Sequence, residues 1–346
     1  MMRPSLGVAV IATLAAMAGA AGADGKKADQ AEPPPSLAGV KSWAYQLQGV
    51  DLDTLARAPV DLIVIDYSRN GEDKHRLSAA DVRRLKRKPD GGRRIVLAYM
   101  SIGEAEDYRF YWREEWIETA EPDDSGTTPA GGERKPQANA GEATEGEEPD
   151  RWLSEKAPAW LHQENDRWGG NFLVHYWEPE WQQLMFGSPG SYLGRIMAAG
   201  FDGVYLDRVD AYYEFLDERR TAALEMVDFV TRLSAHARTE RRGFLIVPQN
   251  GEELLVNESY VAAIDAIAKE DLLYGSPDEG EPNNPAQIAN SQRWLTAAKE
   301  AGKTVLAVEY LEDAEKVAAA RAELARLGFV ATFAPRALDR LVVPGP

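Results

Sequence analysis

The sequence contains no cysteine and only four histidines. The missing cysteine excludes disulfides, thiolate nucleophiles, iron–sulfur clusters and cysteine-ligated zinc. The histidines are His75, His162, His175 and His236, and no two of them share a metal-ligand spacing such as HxxxH. We therefore expect neither a metal site nor a cofactor.

Positive charge is also scarce, since 39 Lys and Arg face 56 Asp and Glu, for a net charge of −17. Nucleic acids and anionic membranes both attract clustered Lys and Arg, so neither is an expected partner. The acidic balance instead suits a neutral or cationic partner. With 346 residues, of which 44% are hydrophobic, the chain has enough apolar material for one large domain or two ordinary ones.

Long apolar runs are missing except at the N-terminus. There, Arg3 precedes an apolar run from Leu6 to Ala18, which is too short to span a bilayer as a mature anchor. Small-residue cleavage sites follow at Ala20 and Ala23, and no cysteine is available for a lipid anchor. The pattern predicts a signal peptide over residues 1–23 and a secreted or periplasmic product with no membrane association after cleavage.

Two biased segments contain little that could fold. Residues 24–41 begin with a Lys, Asp and Pro-rich stretch typical of a flexible linker. Residues 122–150 consist mainly of Gly, Pro, Thr, Glu and Ala, which bury too little apolar surface to offset the entropy of ordering. We interpret 122–150 as a disordered insert within one domain that covers residues 42–346; a linker between two domains is the alternative.

From Ser42 onward, eight short β-rich runs alternate with helical runs. Strands are expected over Trp43–Gln48, Leu62–Tyr67, Ile95–Ser101, Gly203–Arg208, Leu245–Asn250, Ala266–Asp271, Thr304–Tyr310 and Phe329–Ala334. Helices are expected over Leu52–Ala56, Leu77–Lys88, Glu180–Ala199, Glu218–Arg238, Glu252–Ala262, Pro285–Ala301 and Ala314–Leu327. Eight such repeats predict an α/β fold, a single-domain (β/α)8 TIM-like barrel.

An open doubly wound sheet is the alternative fold, but it favours a glycine-rich phosphate loop after the first strand, and no GxGxxG follows Tyr45. Phe172–Trp177 also has strand character. Counting it would give nine strands instead of the eight that a (β/α)8 barrel contains. We therefore treat this segment as part of a long loop after the third strand. The insert at 122–150 then lies in that same loop.

Carboxylates follow the apolar bodies of several predicted strands, at Asp66, Asp207, Glu270 and Glu309. In a (β/α)8 barrel these ends meet on one rim, where active sites are built. Carboxylates without His, Cys or metal ligands favour glycoside hydrolysis, which needs one protonated and one ionised carboxyl.

Aromatic residues are concentrated between the third and fourth strands, where seven of the nine tryptophans lie. Flat aromatic faces stack on sugar rings, which favours a role for residues such as Tyr176 and Trp177 in carbohydrate binding. The alternative is that these side chains only pack the long loop against the domain.

Several segments resemble glycoside hydrolase family 114, the endo-α-1,4-polygalactosaminidase-like proteins. The segment Gly200-Phe201-Asp202-Gly203-Val204-Tyr205-Leu206-Asp207-Arg208-Val209-Asp210 is similar to the GFDGxYLDxxD motif of that family. Ile65-Asp66-Tyr67, the run from Ala98 to Arg109, Tyr176-Trp177-Glu178-Pro179-Glu180-Trp181 and Pro248-Gln249-Asn250 match in the same order. The resemblance implies a TIM-like barrel that hydrolyses α-1,4-linked galactosamine or N-acetylgalactosamine-type polysaccharide.

The resemblance also implies that Asp207 and Glu270 are the catalytic carboxylates. We assign Asp207 as nucleophile and Glu270 as general acid/base, with the reverse assignment left open. The residues expected to bind sugar are Asp66, Tyr67, Tyr99, Tyr176, Trp177, Asn250, Glu309 and Tyr310. A partly deacetylated galactosamine polymer is cationic and would suit the acidic chain.

Two neighbouring ion pairs are also anticipated. Arg208 either holds a carboxylate in the cleft or forms a salt bridge outside it, and we favour the second. Glu104 and Arg109 are expected to form the other pair. The competing function is that of a catalytically silent, secreted carbohydrate-binding barrel. A nucleotide-dependent enzyme is disfavoured because the chain lacks a P-loop motif.

Overall fold

Eight short parallel strands organise the fold. The structure is a computed structural model and describes residues 34–119 and 151–343. The strands are β1 (Trp43–Tyr45), β2 (Leu62–Ile65), β3 (Ile95–Ser101), β4 (Gly203–Asp207), β5 (Leu245–Pro248), β6 (Ala266–Glu270), β7 (Thr304–Glu309) and β8 (Val330–Phe333). In that order, β1 to β5 form one parallel sheet and β6 to β8 form a second. The predicted α/β class and all eight predicted strands are confirmed, most of them shorter by one to three residues.

Side chains along these strands alternate between two cores, as the pleat of a strand requires. The inner cluster combines both sheets and contains Trp43, Tyr45, Leu62, Val64, Ile95, Leu97, Tyr205, Leu245, Val247, Ala266, Ala268, Leu306 and Val308. The intervening residues, such as Ile63 and Val204, pack with the apolar faces of the helices in an outer cluster. Burial on both faces explains why the strands are continuous apolar runs.

The two sheets are linked at β5 and β6 by backbone hydrogen bonds. The Asn250 N–H donates to the Ala268 carbonyl at 2.9 Å, and the Asp265 N–H donates to the Ile246 carbonyl at 2.9 Å. A side-chain hydrogen bond links β1 with β8, because the Trp43 indole N–H donates to the Val330 carbonyl at 2.8 Å. The strands therefore follow one another in chain order.

Helices connect most of the strands. They are α1 (Leu52–Arg57), α2 (Ala79–Leu85), α3 (Pro179–Met185), α4 (Tyr192–Ala199), α5 (Ala222–Glu240), α6 (Glu258–Ala263), α7 (Pro285–Glu300) and α8 (Ala314–Leu327). Local sequence sets their ends: Ser78 and Asp81 form a capping box at the start of α2. Gly200 and Gly328 end α4 and α8 in the left-handed conformation that glycine adopts most readily.

Predicted helix Leu77–Lys88 is observed as the shorter α2, and three other predicted helices differ more clearly from the observed ones. The helix expected over Glu180–Ala199 is divided into α3 and α4, because Gly187, Ser188, Pro189 and Gly190 interrupt it and Gly187 has φ 107°. The helix expected over Glu252–Ala262 is a 3-10 turn followed by α6, with the extended Asn257 between them. The helix expected from Glu218 begins at Ala222 instead.

The long connection between β3 and β4, which we call the insertion, has small sheets of its own. Its strands Glu104–Glu106, Asn171–Val174 and Leu161–Glu164 form an antiparallel sheet, and Ile117–Thr119 pairs with Arg151–Leu153. The segment Phe172–Trp177, which we expected to be loop, therefore begins within a strand, but outside the two parallel sheets.

Two predicted segments, the signal peptide at 1–23 and the disordered insert at 122–150, lie outside the described residues and stay predictions. Of the predicted linker, residues 34–41 are described; Leu37 is buried there in a 3-10 turn. Within the two described ranges, no helix is both long enough and apolar enough to cross a membrane.

Candidate active site

A cleft of about 980 Å³ opens where the eight parallel strands end. Each strand contributes a lining side chain near its carboxyl end; in order from β1 to β8 these are Tyr45, Asp66, Tyr99, Asp207, Gln249, Glu270, Tyr310 and Arg336. The carboxyl ends of parallel strands are where α/β enzymes bind their ligands. This cleft is therefore the candidate active site.

Asp207, at the end of β4, has both carboxylate oxygens held by donors. The Tyr99 hydroxyl donates to its Oδ2 at 2.7 Å. The Gln249 Nε2 and the Arg208 backbone N–H both donate to its Oδ1, at 3.0 and 2.8 Å. Gln249 is itself fixed, because its Oε1 accepts from the Tyr205 hydroxyl at 2.6 Å. The orientation of the Asp207 carboxylate is thereby set before any substrate arrives.

Glu270, at the end of β6, is held by two donors. The Asn250 Nδ2 donates to its Oε1 at 2.8 Å, and the Tyr310 hydroxyl donates to its Oε2 at 2.9 Å. Asn250 is oriented in turn, since its Oδ1 accepts from the Lys269 Nζ at 3.3 Å. None of the described Lys or Arg side chains forms an ion pair with Glu270 or with Asp207.

Arg336 supports the Glu270 side of the cleft from beyond β8. Its guanidinium lies 4.1 Å from the centre of the Tyr310 ring and forms a two-point ion pair with Asp271, at 2.7 and 3.1 Å. Such a planar, bidentate pair fixes both partners in orientation as well as in distance. Arg336 therefore clamps the tyrosine that donates to Glu270.

The two carboxyls are electrostatically coupled. Burial and, to a lesser extent, the charge of Glu270 raise the pKa of Asp207, the hydrogen bond from Tyr99 opposes the rise, and the resulting pKa is about 7. Because the charge of Glu270 disfavours ionisation of the neighbouring Asp207, part of the Asp207 population is protonated near neutral pH. Burial also raises the phenol pKa values of Tyr99 and Tyr310, so both stay donors.

The backbone turns sharply where these side chains are placed. Arg208, Asn250 and Asp271, which follow the ends of β4, β5 and β6, have φ values of 56°, 59° and 48°. A non-glycine residue in this left-handed region costs on the order of 1 kcal/mol. Such strain concentrated on one rim is typical of a functional site.

A second group of buried charges lies on the β2 side of the cleft. The Arg109 guanidinium contacts Asp66 at 2.7 Å and Glu106 at 2.6 Å, and the Tyr108 hydroxyl donates to Glu106. Burial raises the pKa of Asp66, although Arg109 opposes that shift. The predicted pair between Glu104 and Arg109 is wrong, because Arg109 is taken up by these two nearer carboxylates.

Arg208 lines the cleft and pairs within it. Its Nε lies 2.8 Å from Glu104 Oε1, which also accepts from the Asn165 Nδ2 at 2.7 Å. Asp210 and Glu214 lie 3.8 and 3.5 Å from its other guanidinium nitrogens. The favoured prediction of a salt bridge outside the cleft is therefore wrong, since the left-handed backbone at Arg208 directs its side chain toward Glu104.

Two predicted sugar-binding residues, Tyr176 and Trp177, lie apart from the cleft lining. The Tyr176 ring is buried and its hydroxyl donates to the Ala222 carbonyl at 2.8 Å. Trp177 packs edge-to-face against Phe215 and lies under the Arg219 guanidinium at 4.5 Å. Both side chains join the insertion to the start of α5, which is the packing role that the sequence left open.

Tyr67 and Glu309 are also absent from the lining. Tyr67 is buried with its ring edge-on to Tyr192. Glu309 is fully buried and accepts backbone hydrogen bonds from Leu273 at 3.0 Å and Tyr274 at 3.2 Å. Its carboxylate therefore holds the loop after β6, and burial raises its pKa to about 7. The other predicted sugar-binding residues, Asp66, Tyr99, Asn250 and Tyr310, lie in or directly behind the cleft wall.

Gln249 and Arg336 were not singled out from the sequence. Gln249 stands beside the predicted Asn250 and shares its strand-end position, so position alone could have identified it. Arg336 lies three residues beyond β8, where no strand pattern marks it. In the two described ranges, no cluster of His, Asp or Glu is arranged to hold a metal ion. The chemistry that the cleft does offer is proton transfer and nucleophilic attack by two coupled carboxyls.

A coupled carboxylate pair in an open cleft is the arrangement that glycoside hydrolases use. Comparison of the sequence with known families agrees: the glycoside-hydrolase family GH114 matches residues 138–344. The chain belongs to this family, so the resemblance drawn from its motifs is confirmed.

Relatives and solved structures extend this match. The chain is 34% identical over 309 residues to an uncharacterized protein of Methanocaldococcus jannaschii, covering 87% of this chain and 74% of the relative. It is 31% identical over 319 residues to an uncharacterized protein of Deinococcus radiodurans, covering 90% and 86%. The glycoside hydrolase domain of PelA from Pseudomonas aeruginosa has a similar fold, with a TM-score of 0.56 at 20% identity, over 88% of this chain and 99% of that one.

Proposed function

We propose that this protein cleaves glycosidic bonds with Asp207 and Glu270 as its paired carboxylates. The observation that carries the proposal is that both line one cleft, each held by neutral donors, with their ionisation coupled. Membership of the glycoside-hydrolase family supports the reaction class. Because the hydrogen-bond donors are neutral and the pKa of Asp207 is about 7, a proton is available in the cleft near neutral pH.

In the proposed mechanism, Asp207 is the nucleophile and Glu270 the general acid/base. Hydrogen bonds from Tyr99 and the Arg208 N–H oppose the rise in the pKa of Asp207, and a pKa of about 7 leaves part of the Asp207 population ionised at neutral pH, which is the form that attacks the anomeric carbon. Glu270 gives its proton to the leaving oxygen as the glycosidic bond breaks and a glycosyl ester forms on Asp207. Glu270 then removes a proton from water, which attacks the ester and releases the sugar.

We propose an α-1,4-linked galactosamine or N-acetylgalactosamine-type polysaccharide as the substrate. The family resemblance supplies the linkage, and the charge of the cleft supports an amino sugar. Ten acidic side chains line the cleft against five arginines. An excess of carboxylates in a cleft concentrates cationic ligands, which suits a partly deacetylated polymer.

Two further proposals concern the whole chain. We propose that the two parallel sheets are arcs of one closed (β/α)8 barrel, which the shared inner cluster and the contact between Trp43 and Val330 support. We also propose that the protein acts outside the cytoplasm after removal of residues 1–23. N-terminal sequencing of protein recovered outside the cytoplasm tests the second proposal; an intact Met1 there contradicts it.

The reaction is tested by incubating the purified protein with galactosamine, N-acetylgalactosamine and neutral-sugar polymers. New reducing ends should form with the first two classes and disappear in Asp207→Asn and Glu270→Gln variants. Polymer that is bound but never cleaved by the wild type would instead identify a carbohydrate-binding protein. Azide distinguishes the two roles: with Asp207→Ala it should form a glycosyl azide of inverted configuration, and with Glu270→Ala one of retained configuration.

A further inference from the structure

Two exposed aromatic side chains line the cleft on the side formed by the insertion. Trp168 is 47% exposed and Tyr108 is 43% exposed, and both belong to the cleft lining. Other aromatic residues of the insertion, such as Trp160 and Phe172, are buried. An exposed tryptophan beside a candidate active site is more informative than a buried one, because packing does not explain it.

Trp168 is carried on a tightly bonded turn. The backbone N–H of Trp168 donates to the Asn165 carbonyl at 3.2 Å, and the Trp168 carbonyl accepts from the backbone N–H of Asn171 at 3.1 Å. The Asn165 side chain donates in turn to Glu104, the partner of Arg208 in the cleft wall. The indole is therefore presented by a fixed backbone that is tied to the catalytic strand β4.

Neighbouring residues contact the Tyr108 side chain, although Tyr108 remains 43% exposed. Its hydroxyl donates to Glu106, and the Arg109 guanidinium lies 4.8 Å from its ring centre. The ring also lies directly on Gly71, where a Cβ would come within 2.3 Å of it. Gly71, with φ 86°, thus allows the ring to seat against the loop after β2.

Arg109 links Tyr108 to the side of the cleft that holds the proposed catalytic carboxylates. Its guanidinium lies 6.0 Å from the centre of the Tyr99 ring and 4.8 Å from the centre of the Tyr108 ring, and the Tyr99 hydroxyl donates to Asp207. Tyr108 is thus connected to Asp207 through Arg109 and Tyr99, within the same cleft. A polymer whose scissile bond lies at Asp207 extends past this point, whereas a single sugar does not.

We propose that Trp168 and Tyr108 form an aromatic subsite that binds a sugar unit remote from the scissile bond and so selects polymers over short substrates. This inference rests on the proposed glycoside hydrolase function and deepens it. The C–H face of a sugar ring stacks on an aromatic face, and a protonated amino group gains a cation–π attraction there. Rigid aromatic side chains provide such contacts with little loss of conformational entropy.

The test compares Trp168→Ala and Tyr108→Ala with matched controls that have the same residue type and similar exposure outside the cleft. Trp152 is 48% exposed and bonded to Glu118, and Tyr213 is 49% exposed. On polymer, the cleft variants should raise KM about tenfold, consistent with the loss of a stacking contact. Their kcat on a short aryl glycoside should stay at the wild-type value. Trp168→Phe should restore part of the loss.

The possible outcomes distinguish failure of the aromatic subsite from failure of the proposed glycoside hydrolase function. If the wild type cleaves polymer and the cleft variants match Trp152→Ala and Tyr213→Ala, the subsite is refuted while the function stands. If the wild type cleaves no polymer, the proposed function fails, and polymer binding to Glu270→Gln, with and without Trp168→Ala, then decides the subsite. Equal binding by those two proteins, or binding by neither, overturns it. Thermal unfolding of each variant confirms that the fold is retained.

Discussion

Two groups of carboxylates, one buried and one partly buried, share the cleft but differ in how their charge is compensated. Asp66 and Glu106 are paired with Arg109, at 2.7 and 2.6 Å. Asp207 and Glu270 have only neutral hydrogen-bond donors. The first group therefore contains a buried ion pair, whereas in the second burial and the charge of Glu270 raise the pKa of Asp207 to about 7.

This difference separates a structural role from a chemical one. A buried ion pair fixes geometry, and removing one partner leaves an uncompensated charge. A coupled pair of carboxyls without a cation instead has a proton affinity near the pH at which enzymes work. The comparison leads us to expect that changes at Asp207 and Glu270 affect activity, whereas changes at Arg109 affect stability. The predictions below test this division, from the largest expected effect to the smallest.

Replacing either carboxyl of the proposed catalytic pair should have the largest effect. Asp207→Asn and Glu270→Gln should each lower the kcat of polymer hydrolysis by about 10²–10⁴-fold, because proton transfer or nucleophilic attack is lost. Reducing-end release measures the rate, and circular dichroism shows whether the fold is kept. Near-normal rates in both variants would refute the assignment and direct attention to Asp66.

Breaking the buried ion pair should mainly cost stability. Arg109→Met leaves Asp66 and Glu106 without their cation and should lower the free energy of unfolding by about 3–5 kcal/mol. Urea titration measures the change. Arg151→Met is the control, since Arg151 pairs with Asp107 and Glu164 nearer the surface, at 3.0 and 2.9 Å. Its loss should cost below about 1 kcal/mol. Equal costs would contradict the contrast between the two groups.

Removing a donor from Asp207 should have an intermediate effect on rate. Tyr99→Phe loses the 2.7 Å hydrogen bond to Oδ2. A hydrogen bond to a charged group contributes about 1.5–3 kcal/mol, so kcat should fall about 10–100-fold. Because that bond opposes the raised pKa of Asp207, the acid limb of the pH–rate profile should move to higher pH. Tyr176→Phe, which alters a buried hydroxyl outside the cleft, should leave both rate and profile unchanged.

The smallest effect concerns stability against pH. The pKa of Asp207 is raised in the folded state to about 7, so the folded state favours the protonated carboxyl. The stability that this provides is complete below about pH 4 and is lost as the pH rises through about 7. Asp207→Asn does not ionise, so its gain in melting temperature over the wild type should be larger at pH 8 than at pH 5. An equal difference at both pH values would show that Asp207 is not desolvated.

Strands and helix ends that depend on residues adjacent in the chain could be predicted from the sequence. Continuous apolar runs such as Leu62–Ile65 mark strands buried on both faces, and Ser78, Gly200 and Gly328 mark helix ends because their hydrogen bonds and φ values are local. Asp207 and Glu270 could be located for the same reason, since each follows the last apolar residues of a strand. Where local signals conflict, as at Gly187–Gly190, the predicted helix was too long.

The partners of each side chain were decided by the tertiary structure. Strand-end position alone grouped Glu309 with Asp207, yet Glu309 bonds to the backbone of the loop after β6. Among the aromatic residues of the insertion the sequence favoured Trp177, yet the folded structure places Trp168 in the cleft instead. Such contacts join residues far apart in the chain, and no pattern of adjacent residues encodes their distance. The sequence by itself therefore determined the α/β framework and the family, whereas the fold decided which charges are neutralised and which retain a proton.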